Sequence, residues 1–190
     1  MNRWTTDPRR ERPGAGPLRG TLPLVAALAS LLTLSACGGL HGPPPQGAPS
    51  GRDGWVIYTV GTLRLEAPAA WTPSGSANHL KLEMPGQAAR LEVSIPEAPF
   101  HDEQACLAGA EGLMKRGEAM QRVRRHPTRF GGARALTLEG DPGGWHVWAW
   151  AACDGGVQYQ VFLTARSPAP AEVVEAYQVL TRSARIGGEV

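Results

Sequence analysis

Three cysteines are the residues best equipped for chemistry in this 190-residue chain. Cys37 closes an apolar run as Leu34-Ser35-Ala36-Cys37 and is followed by Gly38 and Gly39. A thiolate is a strong nucleophile, and at such a junction it could take up a diacylglyceryl group and fasten the chain to a membrane. Cys106 and Cys153 form an even pair. In an exported protein they would meet an oxidising compartment and could be joined, closing a loop of about 48 residues, worth roughly 3–4 kcal/mol in the chain-entropy picture. The alternative is two separate buried thiols. No Cys-x-x-Cys or His-x-His spacing occurs, so neither a zinc nor a redox site is expected.

Acid–base and nucleophilic groupings are sparse. Ser74-Gly75-Ser76 with His79, and His101-Asp102-Glu103, are the local candidates, and both fall where turns or a helix cap are expected. Neither a Gly-x-Ser-x-Gly nor a His-Glu-x-x-His motif is present. The expectation is a chain with no catalytic residues, no cofactor and no metal.

Two clusters could bind. Trp145, Trp148 and Trp150 crowd one strand, with Trp148 and Trp150 on one face and Trp145, Val147, Ala149 and Ala151 on the other. Trp148 and Trp150 form either an aromatic platform for a glycan, a lipid or a protein, or part of a core covered on both sides. Arg122, Arg124, Arg125 and Arg129, with His126, make the one charge cluster. It would suit an acidic envelope polymer or lipid headgroups, or simply be a solvated edge.

The segments that must position these groups begin with a leader. Arg3, Arg9, Arg10, Arg12 and Arg19 precede the run Thr21–Thr33 (TLPLVAALASLLT). About thirteen residues suit the apolar region of a signal peptide and fall short of the roughly 20 needed to span a bilayer. The basic flank holds the amino end on the cytoplasmic side. Arg9-Arg10 suggests twin-arginine export, but Glu11, Arg12 and Pro13 follow where apolar residues belong. Leu34-Ser35-Ala36-Cys37 resembles the bacterial lipobox, which implies removal of residues 1–36 and lipidation of Cys37. An ordinary secretory signal leaving a free cysteine is the other possibility. Residues 37–52, rich in Gly and Pro with Pro43-Pro44-Pro45, read as a tether. No Asp follows Cys37, which by resemblance to enterobacterial sorting rules is compatible with the outer membrane, facing the periplasm.

Removing the leader changes the charge. Of the chain's 19 basic and 17 acidic residues, the leader holds five and two, which leaves 14 against 15 and a net charge near −1. The basic overall balance is therefore no argument for nucleic acid.

Residues 53–190 are long enough for one domain with a real core. Apolar/polar alternation predicts strands over Trp55–Leu65, His79–Met84 and Ala89–Ile95. Further strands are expected through Leu136 and Leu138, then over Trp145–Cys153 and Val157–Thr164, the last two joined at Asp154-Gly155-Gly156. A helix is expected from Glu103 to about Gly117, with Asp102 as N-cap, Cys106, Ala110, Leu113 and Met114 inward, and Gly109 and Gly112 weakening it. A second should start near Pro170, bury Val173, Ala176, Tyr177, Leu180 and Ala184, and end at Gly187. The fold class is α+β: a largely antiparallel, twisted sheet of about six strands flanked by two helices.

Over about Gly61–Ile186 the chain resembles the PsbP-like superfamily, which includes DcrB-type and LpqN-type bacterial lipoproteins. The resemblance rests on the Pro68-Ala69-Ala70-Trp71 turn, the mid-chain helix, Phe130-Gly131-Gly132-Ala133-Arg134-Ala135 entering a strand, and the closing helix with Leu180 and Ile186. It implies helices flanking a twisted sheet, no cofactor and no shared catalytic residues. The implied role is a lipid-anchored binding or assembly accessory of an envelope machine (transport, secretion or surface motility), with an envelope protein as partner and no nucleic acid. A carrier or binder of a lipid or glycan is the competing expectation. The sequence leaves the oligomeric state open.

Overall fold

A computed structural model describes residues 45–118 and 123–187. The leader, Cys37 and Arg122 lie outside the described residues. In chain order the elements are β1 (Ala48–Pro49), β2 (Trp55–Val60), β3 (Leu63–Pro68), β4 (Thr72–Ser76), β5 (His79–Glu83) and β6 (Ala89–Ser94). Then follow α1 (Glu103–Glu118), β7 (Val123–Phe130), β8 (Ala133–Gly140), β9 (Trp145–Asp154), β10 (Val157–Arg166) and α2 (Ala171–Ser183). The strands form a small sheet, β1-β2-β3, and a seven-stranded sheet, β4-β5-β6-β10-β9-β8-β7, with antiparallel pairing throughout. The α+β class and the two helices agree with the sequence reading; the strand count does not.

Each additional strand has a physical reason. Trp55–Leu65 is a hairpin rather than one strand, because Gly61 adopts φ +57° and turns the chain between Val60 and Leu63. A side chain at Gly61 would also press on Ile95, 2.6 Å away. β4 and β7 are the two edges of the large sheet and contain Pro73 and Pro127. An edge strand tolerates proline and charge because one row of its backbone groups is unpaired, so it lacks the apolar alternation of an inner strand. β1 lies inside the expected tether: Ala48 and Pro49 pair with Ile57 and Val56, and any side chain at Gly47 would collide with Val56. The paired domain therefore begins before residue 53.

The large sheet is covered differently on its two faces. On one, Leu80, Leu82, Leu91, Val93, Trp148, Trp150, Val161 and Leu163 meet Val60, Leu63 and Leu65 of the small sheet and Val173, Ala176 and Leu180 of α2. Trp71 is 1% exposed at the corner after β3, and its indole N–H donates to Glu172 in the first turn of α2 at 3.2 Å. The space left between Trp71, Leu91, Leu163, Ala176 and Leu180 is about 10 Å³, too small for anything beyond a single water. On the other face α1 lies over β8 and β9, where Ala149 and Ala151 allow it close enough to bury Ala110 and Met114. Among the described residues no helix covers the β4–β6 part of that face, which carries Lys81, Glu83, Arg90 and Glu92.

α1 is held at its start. Asp102 accepts the Ala105 N–H at 2.8 Å, the expected cap. Phe100 packs so closely on Gly109 that a Cβ there would sit 2.6 Å from its ring, which explains a glycine that helix propensity disfavours. Cys106 is fully buried and bonded to Cys153 near the end of β9, with Cα atoms 6.0 Å apart. α2 stops at Ser183, four residues before the expected Gly187, because the chain then pairs with other strands: Arg64 and Arg185 exchange backbone hydrogen bonds, and the Ile186 N–H donates to the Gly131 carbonyl.

The cross-link spans 47 positions and ties α1 to β9. Reducing it, or replacing both cysteines with serine, should lower unfolding stability by about 3–4 kcal/mol on the loop-closure argument. Urea titrations with and without reductant measure this; identical midpoints would show that the cross-link adds nothing to stability.

Candidate functional site

The structure separates the tryptophans by face, and the faces have opposite fates. Trp148 and Trp150 do share a face, as strand geometry requires, but it is the covered one: they are 7% and 5% exposed. Tyr177 of α2 stacks on both rings, at 4.9 and 5.8 Å, and Phe130 stacks on Trp150 at 5.0 Å. The Trp148 indole N–H donates to Glu139 at 3.2 Å. Trp148 and Trp150 are thus core residues that seat α2. Of the two readings open to them, the structure favours the covered core over the platform, because Tyr177 already stacks on both rings.

The arginine cluster does not converge on a basic surface among the described residues. The Arg125 side chain, like Arg122, lies outside them. Arg124 is exposed on β7 and borders a hollow of about 600 Å³ with His126, Glu139, Asp141 and His146. His146 Nδ1 lies 2.8 Å from Asp141 Oδ1, its ring packs 4.0 Å from Trp148, and the Ser167 hydroxyl donates to the same Asp141 oxygen at 3.2 Å. The Arg129 guanidinium donates to the Gly132 carbonyl. Charges of both signs line the hollow, and no described hydroxyl or thiol lines it as a nucleophile. No group of three or more His, Cys, Asp or Glu among the described residues is placed to hold a metal ion.

The other acid–base candidates are structural or dispersed. His79 lies opposite Ser76 across β4 and β5 and is 3.1 Å from Glu92, on the part of the sheet without a helix. His101 pairs with Asp102 at 2.8 Å but is 80% exposed, and Asp102 is already engaged in capping α1.

A second groove was not foreseen from sequence. Trp145, 38% exposed, stands at the start of β9 on the face opposite Trp148. With Pro142 and Val147 it supplies much of the apolar lining of a groove of about 470 Å³ that Glu83, Gln87, Arg90 and Thr164 also line. Period-two alternation separates Trp145 from Trp148, but only the placement of α1 over β8–β9 decides that Trp145 stays open.

The phenol of Tyr177 titrates above its usual range, because burial disfavours its anion and Glu139 adds a like charge. The folded state therefore holds this proton more tightly than the unfolded chain. That stabilisation is complete below the unfolded value of about 10 and is lost as pH rises past it. Tyr58, raised by burial, acts with the same sign. Tyr177→Phe should lessen the loss of stability between about pH 9 and 11 in denaturant titrations; equal losses in both proteins would exclude this phenol as the source. Trp150→Ala should cost about 3–5 kcal/mol, whereas an exposed binding ring would cost almost nothing on truncation.

No protein-family model and no curated protein matches the chain. Among solved structures, a crystal structure of a protein from Bacteroides thetaiotaomicron is similar over 67% of this chain, at 9% identity and a TM-score of 0.47. The chain spans 46% of that protein's length. The solution structure of the cyanobacterial PsbP protein (CyanoP) from Synechocystis is similar over 80% of this chain and 98% of its own, at 15% identity and a TM-score of 0.44.

Proposed function

We propose that the chain is a lipid-anchored protein of the bacterial cell envelope, with a PsbP-like domain that serves as a non-enzymatic binding or assembly accessory of an envelope machine. The observation that carries this reading is the junction at Cys37. An arginine-led apolar run of signal-peptide length ends on Leu34-Ser35-Ala36-Cys37, and a Gly/Pro-rich stretch then leads to the domain. Once the leader is removed and Cys37 acylated, the protein faces an aqueous compartment, by our reading the periplasm at the outer membrane.

Two features of the domain support it. A single cross-link between Cys106 and Cys153 suits an oxidising compartment. The interior between the two sheets and α2 is filled, which favours a role played at the surface over a carrier that engulfs a lipid. The PsbP-like kinship rests on motif residues with tight structural duties: Trp71 is locked to Glu172, and a Cβ at Gly131 would sit 2.9 Å from Ile186.

Cys37→Ala should release the protein from the membrane fraction of intact cells. Crosslinking of the wild-type protein in those cells should capture a small, reproducible set of envelope proteins, and the variant should lose them. Undiminished membrane retention of the variant would overturn the anchor. Retention lost but no envelope protein captured would overturn the accessory role alone.

A further inference from the structure

We propose that the groove beside Trp145 is a saccharide-binding site, with Trp145 as the ring on which an uncharged sugar stacks. The proposal goes beyond the accessory reading and does not depend on the anchor at Cys37.

Trp145 and Val174 are the exposed large apolar side chains among the described residues, and Trp145 is held in place. Its N–H donates to the Pro142 carbonyl at 3.1 Å, and the Ser167 N–H donates to the Gly144 carbonyl at 2.9 Å, so the turn is clamped from both sides. The Arg166 guanidinium lies over the indole, 5.5 Å from its centroid. With the backbone held at this turn and Arg166 over one face of the indole, a ligand that stacks on the other face loses less conformational freedom on binding.

The polar part of the lining narrows the ligand class. Glu83, Gln87 and Arg90 offer a carboxylate, an amide and a guanidinium, and Thr164 adds a hydroxyl. These are flat hydrogen-bonding groups of both polarities. Glu83 is already paired with Lys81 at 2.8 Å and Arg90 with Glu92 at 3.6 Å, so this lining presents hydrogen bonds without an excess of either sign. Gln87 is the one described non-glycine residue at positive φ, 57°, a conformation that costs energy and places it in this lining.

An acyl chain would cover the indole but strip water from Glu83 and Arg90 without offering them hydrogen bonds in return. With Glu83 and Arg90 both in the lining, neither a polyanion nor a cation finds a surface of one complementary sign. A pyranose has an apolar C–H face for the indole and a rim of hydroxyls that donate and accept. A volume of about 470 Å³ also falls in the range of small-ligand sites, roughly 300–1,000 Å³.

The test is saturation-transfer NMR on the full chain in detergent, using chitotriose, cellotriose and maltotriose as probes and dodecanoate as the acyl control. At least one trisaccharide should receive saturation from the protein. Its affinity should fall at least tenfold in Trp145→Ala and by less in Trp145→Phe, with both variants melting as the wild type does. Glu83→Gln combined with Arg90→Gln should weaken the same sugar several-fold. Saturation of none of the three sugars, of dodecanoate in their place, or of a sugar equally in wild type and Trp145→Ala would overturn the assignment.

Discussion

A seven-stranded sheet has two faces to shield from water, and the unequal way this chain does so governs the rest of the structure. Burial of apolar surface is worth about 25 cal/mol per Å², so the side meeting the small sheet and α2 dominates cohesion. That side contains Trp71, Leu80, Leu82, Val161 and Leu163, each at 1% exposure or less. The other side is shielded by one helix over β8 and β9 and carries charged groups where no helix lies.

That asymmetry explains why the two helices are fastened differently. α2 lies on large rings, with Tyr177 stacked on Trp148 and Trp150, and its first turn takes a hydrogen bond from Trp71. α1 has a smaller apolar stripe over alanines, and glycines within it. It is secured instead by the Cys106–Cys153 bond, the Asp102 cap and the fit of Phe100 on Gly109. Because α1 reaches only part of its face, the start of β9 is not covered by α1 and Trp145 meets solvent there. The groove is thus a consequence of incomplete cover.

How much of this was legible depended on where a residue sits in the sheet. Inner strands declared themselves: Leu91 and Val93 alternate with Arg90 and Glu92, and β9 and β10 read correctly through the Asp154-Gly155-Gly156 turn. The inward stripe of α1, with Cys106 on it, was equally plain from spacing. Edge strands were silent, because Thr72-Pro73-Ser74-Gly75-Ser76 buries little and Arg124, His126, Pro127 and Arg129 of β7 are exposed, so neither shows an apolar pattern. The tryptophans show the limit most clearly. Their parity was readable, but which of the two faces is covered is settled by α1 and α2, elements distant in sequence, so spacing alone left both platform and core open for Trp148 and Trp150.

The proposed function stands on Cys37 more than on any other residue, since a lipid anchor there would place the domain in the oxidising cell envelope. Intact-mass and N-terminal peptide mass spectrometry of the protein extracted from its native membrane tests this most directly. The account predicts a mature chain that begins at Cys37 and carries acyl groups on it. A chain that retains residues 1–36, or one cleaved elsewhere with an unmodified Cys37 thiol, would contradict it.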